Sequence, residues 1–275
     1  AHGAMPFIVT WCEQGDNPFL CEWPVNPLTR QPEIDPDDIA LISGLLEQAD
    51  LIYMQNAKYD AHALANIGIE LPWEKVRDTL VAGHLLGSNY SHTLDAMCLQ
   101  YLGVDIQPYE IKVKEATQAC RTIARRDFPQ WIIAKEGVEG MPSVKGSSSG
   151  EDKPWKNDMW LPRAIHRVGK KINPEYLTAC ATYACADSEL TLALGLEMER
   201  IIRDRSLQHI YRHRLELVRS IYEMETRGVT LIGKYTEDTI IDHQIYIAEA
   251  KDELVSIAAK YNHDLELASG ASLND

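Results

Sequence analysis

The stretch YMQNAKYDAHALANIGIEL, Tyr53 to Leu71, constrains the fold more than any other part of the chain. A short apolar run at residues 51–55 hands over without a spacer to a helical pattern at about 57–67, which stops at Gly68. A buried strand running straight into a helix is the elementary step of α/β folds, because the helix lies back on the sheet to bury its apolar stripe. Other segments repeat it. FIVTW (7–11) and FLCEW (19–23) read as two strands joined by the turn EQGDNP. In EIDPDDIALISGLLEQAD, Asp35 is placed to cap a helix, Pro36 is its first residue, and Ile39, Ile42, Leu45 and Leu46 share one face. Helical patterns at 79–86 and 93–102 follow. The alternation predicts an α/β domain with a mixed sheet and flanking helices.

Beyond residue 103 the pattern is less regular. RTIARRDFPQWIIAK reads as helical, and EGVEGMPSVKGSSSGEDKPW as a flexible Gly/Ser/Pro loop. Helical periodicity returns at about 174–205 and 212–225. A longer helix, at about 236–260 with Ile240, Leu254 and Ile257 on its apolar positions, is long for a compact domain and is expected to project. The chain opens on AHGAM, with no initiator Met and no lead-in before the first strand, which reads as a fragment of a longer protein.

The 275 residues suffice for one large domain or two small ones. No apolar run approaches the roughly 18 residues that span a bilayer, and no signal segment opens the chain. The six cysteines form no C-x-x-C pair, so reduced thiols in a cytoplasm-like compartment are expected. The net charge of −14 speaks against a polyanionic partner, but its distribution does not. Residues 112–171 hold 13 Lys and Arg against seven Asp and Glu, a balance of +6, while the remainder holds 14 against 34, or −20. Such a basic island is the footprint of a nucleic-acid contact or of a solvated, salt-bridged insertion.

Two segments carry chemistry. In QNAKYD, with Asn56 as the cap, Asp60 falls in the first helical turn, where a carboxylate serves either the helix dipole or a metal ion. In TYACADSELTLALGLEMER, Tyr183 and Asp187 are four apart on a helix, and Leu190 and Leu194 continue their face. A carboxylate on such a stripe needs a partner or a cation, or its head lies at the stripe margin in water. Clustered carboxylates become compatible when divalent cations sit among them, and two such ions are a standard apparatus for phosphodiester hydrolysis. Hard oxygen ligands suit Mg²⁺ or Mn²⁺.

On these residues the chain resembles a known family. NAKYD is similar to the second motif, and YACAD to the third, of the DEDDy 3′–5′ exonucleases. GIEL, DTLVAGHLL and SHTLDAMCLQYLG follow in the order of the proofreading domain of a family A, DNA polymerase I-type enzyme. LELVRSIYEMETRGVTLI, the long helix and LASGASLND resemble the start of that family's thumb. The resemblance implies an RNase H-like exonuclease domain at 1–203 with a variable basic insertion at 103–175. At 204–275 it implies the beginning of a helical thumb, palm and fingers being missing.

The implied function is removal of mispaired 3′ nucleotides during DNA replication or repair. Asp60 and Asp187 would be metal ligands and Tyr183 would orient the attacking water. Asn56, Lys58 and Tyr59 would line the pocket for the terminal nucleotide, with His92 near the single strand and Asp78 fixing the surrounding fold. Arg121, Arg125 and Arg126 of the basic island are the candidates for further DNA contact. Implied partners are the 3′ end of single-stranded DNA, primer–template DNA and the rest of the polymerase, with no membrane. There is one departure. The family's first motif, D-x-E, should precede Phe7 and does not; Asp187–Glu189 and Asp264–Glu266 have that spacing but the wrong context. Two other readings therefore stay open: an inactive exonuclease-like DNA-binding or structural module, and a stand-alone RNase D-like nuclease, against which the thumb-like sequence from Leu215 argues.

Overall fold

A computed structural model of the protein describes residues 5–87, 89–132, 158–230 and 232–260. It divides into two compact units, Ala1–Thr226 and Arg227–Asp275.

In the first unit, β1 (Ile8–Trp11) pairs antiparallel with β2 (Phe19–Glu22), Ile8 opposite Glu22 and Trp11 opposite Phe19. The connecting turn uses Gly15 at φ 92°, and the Trp11 and Phe19 rings stack at 5.7 Å. Helix α1 (Pro36–Gln48) starts as its sequence demands, with Asp35 accepting from the Asp37 amide at 3.0 Å. Strand β3 (Ile52–Met54) leads into α2 (Ala57–Ala65) and pairs in parallel with β4 (Val76–Asp78). Then come α3 (Thr79–Leu86), α4 (Leu94–Leu102), α5 (Gln107–Asp127), α6 (Leu161–Arg167), α7 (Pro174–Asp204) and α8 (Gln208–Arg227). The expected single mixed sheet is not what the described residues form. They carry one antiparallel and one parallel two-stranded sheet, and helices supply most of the structure.

Helix α7 holds these pieces together, packing against β1, β2 and β3 and against α3 to α6. Leu194, Met198 and Ile202 are almost wholly buried along it. Its approach to β3 depends on Gly195, where an added Cβ would collide with the Tyr53 ring. The Tyr53 hydroxyl donates to Glu199 Oε2 at 2.7 Å, and Arg77 Nε donates to Glu199 Oε1 at 3.0 Å, so Glu199 fastens both parallel strands to α7. Tyr53 cannot swing aside without giving up that bond. Gly195→Ala is therefore expected to destabilise the first unit by about 1–3 kcal/mol, the usual range for overpacking. Urea unfolding checks this, and an unchanged midpoint would mean that the helix and strand can part at no cost.

Helix α5 is part of the core. Val113, Ala116, Thr117, Cys120 and Ala124 are buried along one face, with Val113 and Ala116 packed beside Ala179 and Cys180 of α7. The segment expected as an insertion at 103–175 thus begins with an integral helix. Its Gly/Ser/Pro loop lies wholly outside the described residues. Helix α8 also belongs to the first unit. The Tyr211 hydroxyl donates to the Asp78 carbonyl at 3.0 Å, and the Tyr222 ring lies 4.6 Å from His62 and 5.1 Å from Trp73. The first compact unit accordingly runs on to Thr226.

The second unit contains α9 (Gly233–Lys260), on which Ile240, Ile241 and Ile247 are exposed. Among the described residues no helix is long and apolar enough to cross a membrane. All six cysteines are free thiols.

Candidate active site

The site begins where β3 ends. The chain turns into α2 through Asn56, which takes the left-handed conformation at φ 64°. Asn56 occupies the cap position but its side chain caps nothing. Asp78 does that work from β4. Its carboxylate accepts from the Asn56 amide at 3.1 Å, the Ala57 amide at 2.9 Å and the Leu80 amide at 2.8 Å. One buried carboxylate, 2% exposed, therefore closes the N-termini of both α2 and α3. The Thr79 hydroxyl completes the junction by donating to the Met54 carbonyl at 3.1 Å.

With Asp78 in that role, capping no longer accounts for Asp60. Asp60 lies half-buried in the first turn of α2, and its carboxyl is pushed up to about 7, first by burial and then by the charge of Asp78. The positive end of the helix favours its anion, yet desolvation prevails. A carboxyl so poised gains far more from a bound cation than an exposed one does.

The second group sits midway along α7. The Tyr183 hydroxyl donates to Asp187, and its own ionisation is pushed well above the usual range, first by burial and then by the Asp187 charge, with smaller contributions from Glu110 and Asp95. The Cys98 thiol is raised to about 11 by burial and then by Asp187 and Asp95. Thr10 of β1 donates its hydroxyl to the Ala184 carbonyl at 3.0 Å, tying the first strand to this turn of the helix. Tyr183 and Asp187 are half-buried, whereas Leu194 further along is fully enclosed. Asp95 and Glu110 were not anticipated. Each stands in the first turn of its helix, α4 and α5, where an acidic residue ordinarily answers only the helix dipole.

Asp60 thus feels the charge of Asp78, while the charge of Asp187 acts on Tyr183 and Cys98. Among the described residues, no group of three or more His, Cys, Asp or Glu side chains is disposed to hold a metal ion.

The residues expected to touch nucleic acid divide into two sets. Asn56 and Tyr59 are exposed at the start of α2, Tyr59 to 54%. Lys58 beside them pairs with Glu225 of α8 at 2.6 Å. His92 is built into the wall. Its ring stacks on His84 at 3.8 Å, its Nε2 lies 2.7 Å from the Gly87 carbonyl, and its carbonyl accepts from Gln55 at 3.0 Å. On α5, Arg121 turns inward and pairs with Asp158 at 2.8 Å, a carboxylate shared with Arg30. The basic surface expected of Arg121, Arg125 and Arg126 therefore reduces to the exposed Arg125 and Arg126, the latter forked onto Asp127 at 2.7 and 3.1 Å.

Residues 30–126, which hold the β3–α2 junction, Asp60, Asp78 and all but the last residue of α5, match the 3′–5′ exonuclease family of A-type DNA polymerases. That segment is therefore similar to the 3′–5′ exonuclease domain of A-type DNA polymerases. The DNA polymerase DpoZ of Vibrio phage phiVC8 is 32% identical over 78 residues, which amount to 28% of this chain and 12% of the phage protein. Tyr183 and Asp187 lie outside the family match, on the long helix that packs against the exonuclease segment.

Proposed function

We propose that the chain is the proofreading portion of a DNA polymerase and removes nucleotides from the 3′ end of single-stranded DNA by metal-assisted hydrolysis. The observation that carries this reading is Asp60, a carboxyl raised to about 7 within the segment that matches the exonuclease family. Perturbation by desolvation beside a like charge marks functional carboxylates. The donor chemistry of Asp60 and Asp187, all hard oxygen, fits Mg²⁺ or Mn²⁺, although these two alone fall short of a two-metal set. A divalent ion, when bound, lowers the pKa of a water and stabilises the leaving oxygen.

The protein's own groups do the rest in this reading. Asp187 holds the Tyr183 hydroxyl in one direction, and that hydroxyl orients the attacking water. Asn56 and Tyr59 offer an exposed amide and ring to the terminal nucleotide. Asp95 and Glu110 keep the surroundings of Tyr183 negative, which discourages a phosphate from entering without a cation. The RNase H-like architecture and a thumb beyond the exonuclease belong to the same proposal, as do primer–template DNA and the remaining polymerase as partners.

Two substitutions test the division of labour. Asp187→Ala removes a charged ligand, so metal affinity should weaken and cleavage should fall by orders of magnitude. Tyr183→Phe keeps the ring and removes only the hydroxyl, so metal affinity should survive while cleavage slows by roughly 10²–10⁴-fold. Metal titrations and single-turnover degradation of 3′-labelled single-stranded DNA are the measurements. The lack of a three-acid group among the described residues favours a second reading, an inert exonuclease fold that binds DNA. Metal-independent DNA binding with no cleavage would select it.

A further inference from the structure

Glu225, in the last turn of α8, reaches two side chains of α2. Its Oε1 lies 2.6 Å from Lys58 Nζ and its Oε2 lies 3.0 Å from His62 Nε2. Lys58 and His62 are four apart, so they share one face of the helix whose first turn carries Asp60. The Glu225 carboxyl is held below its usual range, first by the Lys58 bond and then by the His62 bond. The contact is also set by packing. Tyr222, on the same stretch of α8, places its ring 4.6 Å from His62 and 5.1 Å from Trp73.

A two-oxygen anion received by two nitrogen donors has the chemistry of a phosphodiester held by a protein. We propose that Glu225 is an internal stand-in for a backbone phosphate. Lys58 and His62 form the cradle, α8 occupies it in the absence of substrate, and an incoming single strand displaces the Glu225 carboxylate. The inference rests on the exonuclease reading of the site. The pair is suited to exchange, because Lys58 and Glu225 are 33% and 34% exposed in their side chains and such pairs are weakened by salt. Glu225 also stands one residue ahead of Thr226, the last residue of the first unit, so drawing the end of α8 away would open the cradle.

The test uses the 275-residue chain, with Glu225→Gln, Glu225→Ala, Lys58→Met and the Lys58→Met/Glu225→Gln pair. A short labelled oligothymidylate is titrated in EDTA, which prevents cleavage, and anisotropy is read over a range of salt. Either Glu225 variant should bind roughly three- to tenfold tighter than the parent, the scale of one exchangeable ion pair. Its logarithmic salt dependence should steepen by about 0.7, one phosphate on a single strand. Lys58→Met should bind more weakly than the parent, and Glu225→Gln should add nothing in that background. If both Glu225 variants bind no tighter than the parent while Lys58→Met binds more weakly, the stand-in role fails and the exonuclease reading stands. If parent and all variants bind nothing, or bind alike, the nucleic-acid reading of the site fails as well. Far-UV circular dichroism and melting curves in the same buffer establish that the variants are folded.

Discussion

Asp60→Asn should abolish metal-dependent degradation of single-stranded DNA and, in EDTA, should make the protein more stable above pH 7. The first effect follows from the proposed ligand role, since an amide binds a divalent cation far less well than a carboxylate. The second follows from linkage. The Asp60 carboxyl is pushed up to about 7 from an ordinary 3.8, so the folded protein holds this proton more tightly than the unfolded chain does. Below pH 3.8 both states are protonated and the site costs nothing. As pH rises towards 7 the unfolded chain ionises while the folded one resists, and stability is lost until the folded carboxyl ionises as well. At about 1.36 kcal/mol per unit, three units set a ceiling of about 4 kcal/mol. A half-buried carboxyl retains some water, and about 2 kcal/mol is the expected loss. The amide of the variant cannot ionise and escapes it. The unfolded carboxyl is already mostly ionised at about pH 5, so urea unfolding there and at about pH 8 should capture somewhat over half of this loss. The parent should show a fall between them that is smaller by roughly 1 kcal/mol in the variant. Equal falls would remove the argument that Asp60 is strained in the absence of a cation.

Asp78→Ala should cost more stability than any other single change at this site. The carboxylate is 2% exposed and accepts amide protons from Asn56, Ala57 and Leu80. Alanine would leave those donors at two helix starts without their acceptor. A lost cap costs about 0.5–2 kcal/mol and a buried donor left unpaired about 1–3 kcal/mol, so roughly 3–5 kcal/mol is expected. That is a large part of the roughly 5–15 kcal/mol typical of a folded domain. Asp78→Asn keeps one acceptor oxygen and should lose less. It also removes the like charge beside Asp60, so the Asp60 carboxyl should fall while staying above its ordinary value, because burial is the larger cause. Denaturation of both variants, with a pH series on Asp78→Asn, measures the two roles separately. A negligible cost for Asp78→Ala would show that water or a rearranged turn can cap both helices.

The elements that rest on local rules are legible in the sequence. Asp35 and Pro36 start α1, Asn173 and Pro174 start α7, and β3 runs into α2 with Gly68 closing the turn that follows at φ 83°. Capping and apolar periodicity act within one or two turns, so neighbouring residues suffice to specify them. Strand β4 escapes such a reading because VRD is too short to show alternation. Helix α5 is only partly visible because its buried face is built from Val113, Ala116, Thr117, Cys120 and Ala124, mostly small side chains with a weak apolar signal among many charges.

The partners of the charged residues were decided by tertiary structure alone. Nothing near Asn56 says that its amide will be met by Asp78 from β4, nor that Lys58 will meet Glu225 from α8. Arg121, read as a DNA contact from the charge of its neighbourhood, faces Asp158 because burial of the Cys120 and Ala124 face fixes how α5 is turned. The chain by itself determined which helices hold the candidate residues, Asp60 on α2 and Tyr183 and Asp187 on α7. The fold decided which of their charges are matched, because apolar burial chooses the surfaces that meet and the charges on those surfaces take the partners they find.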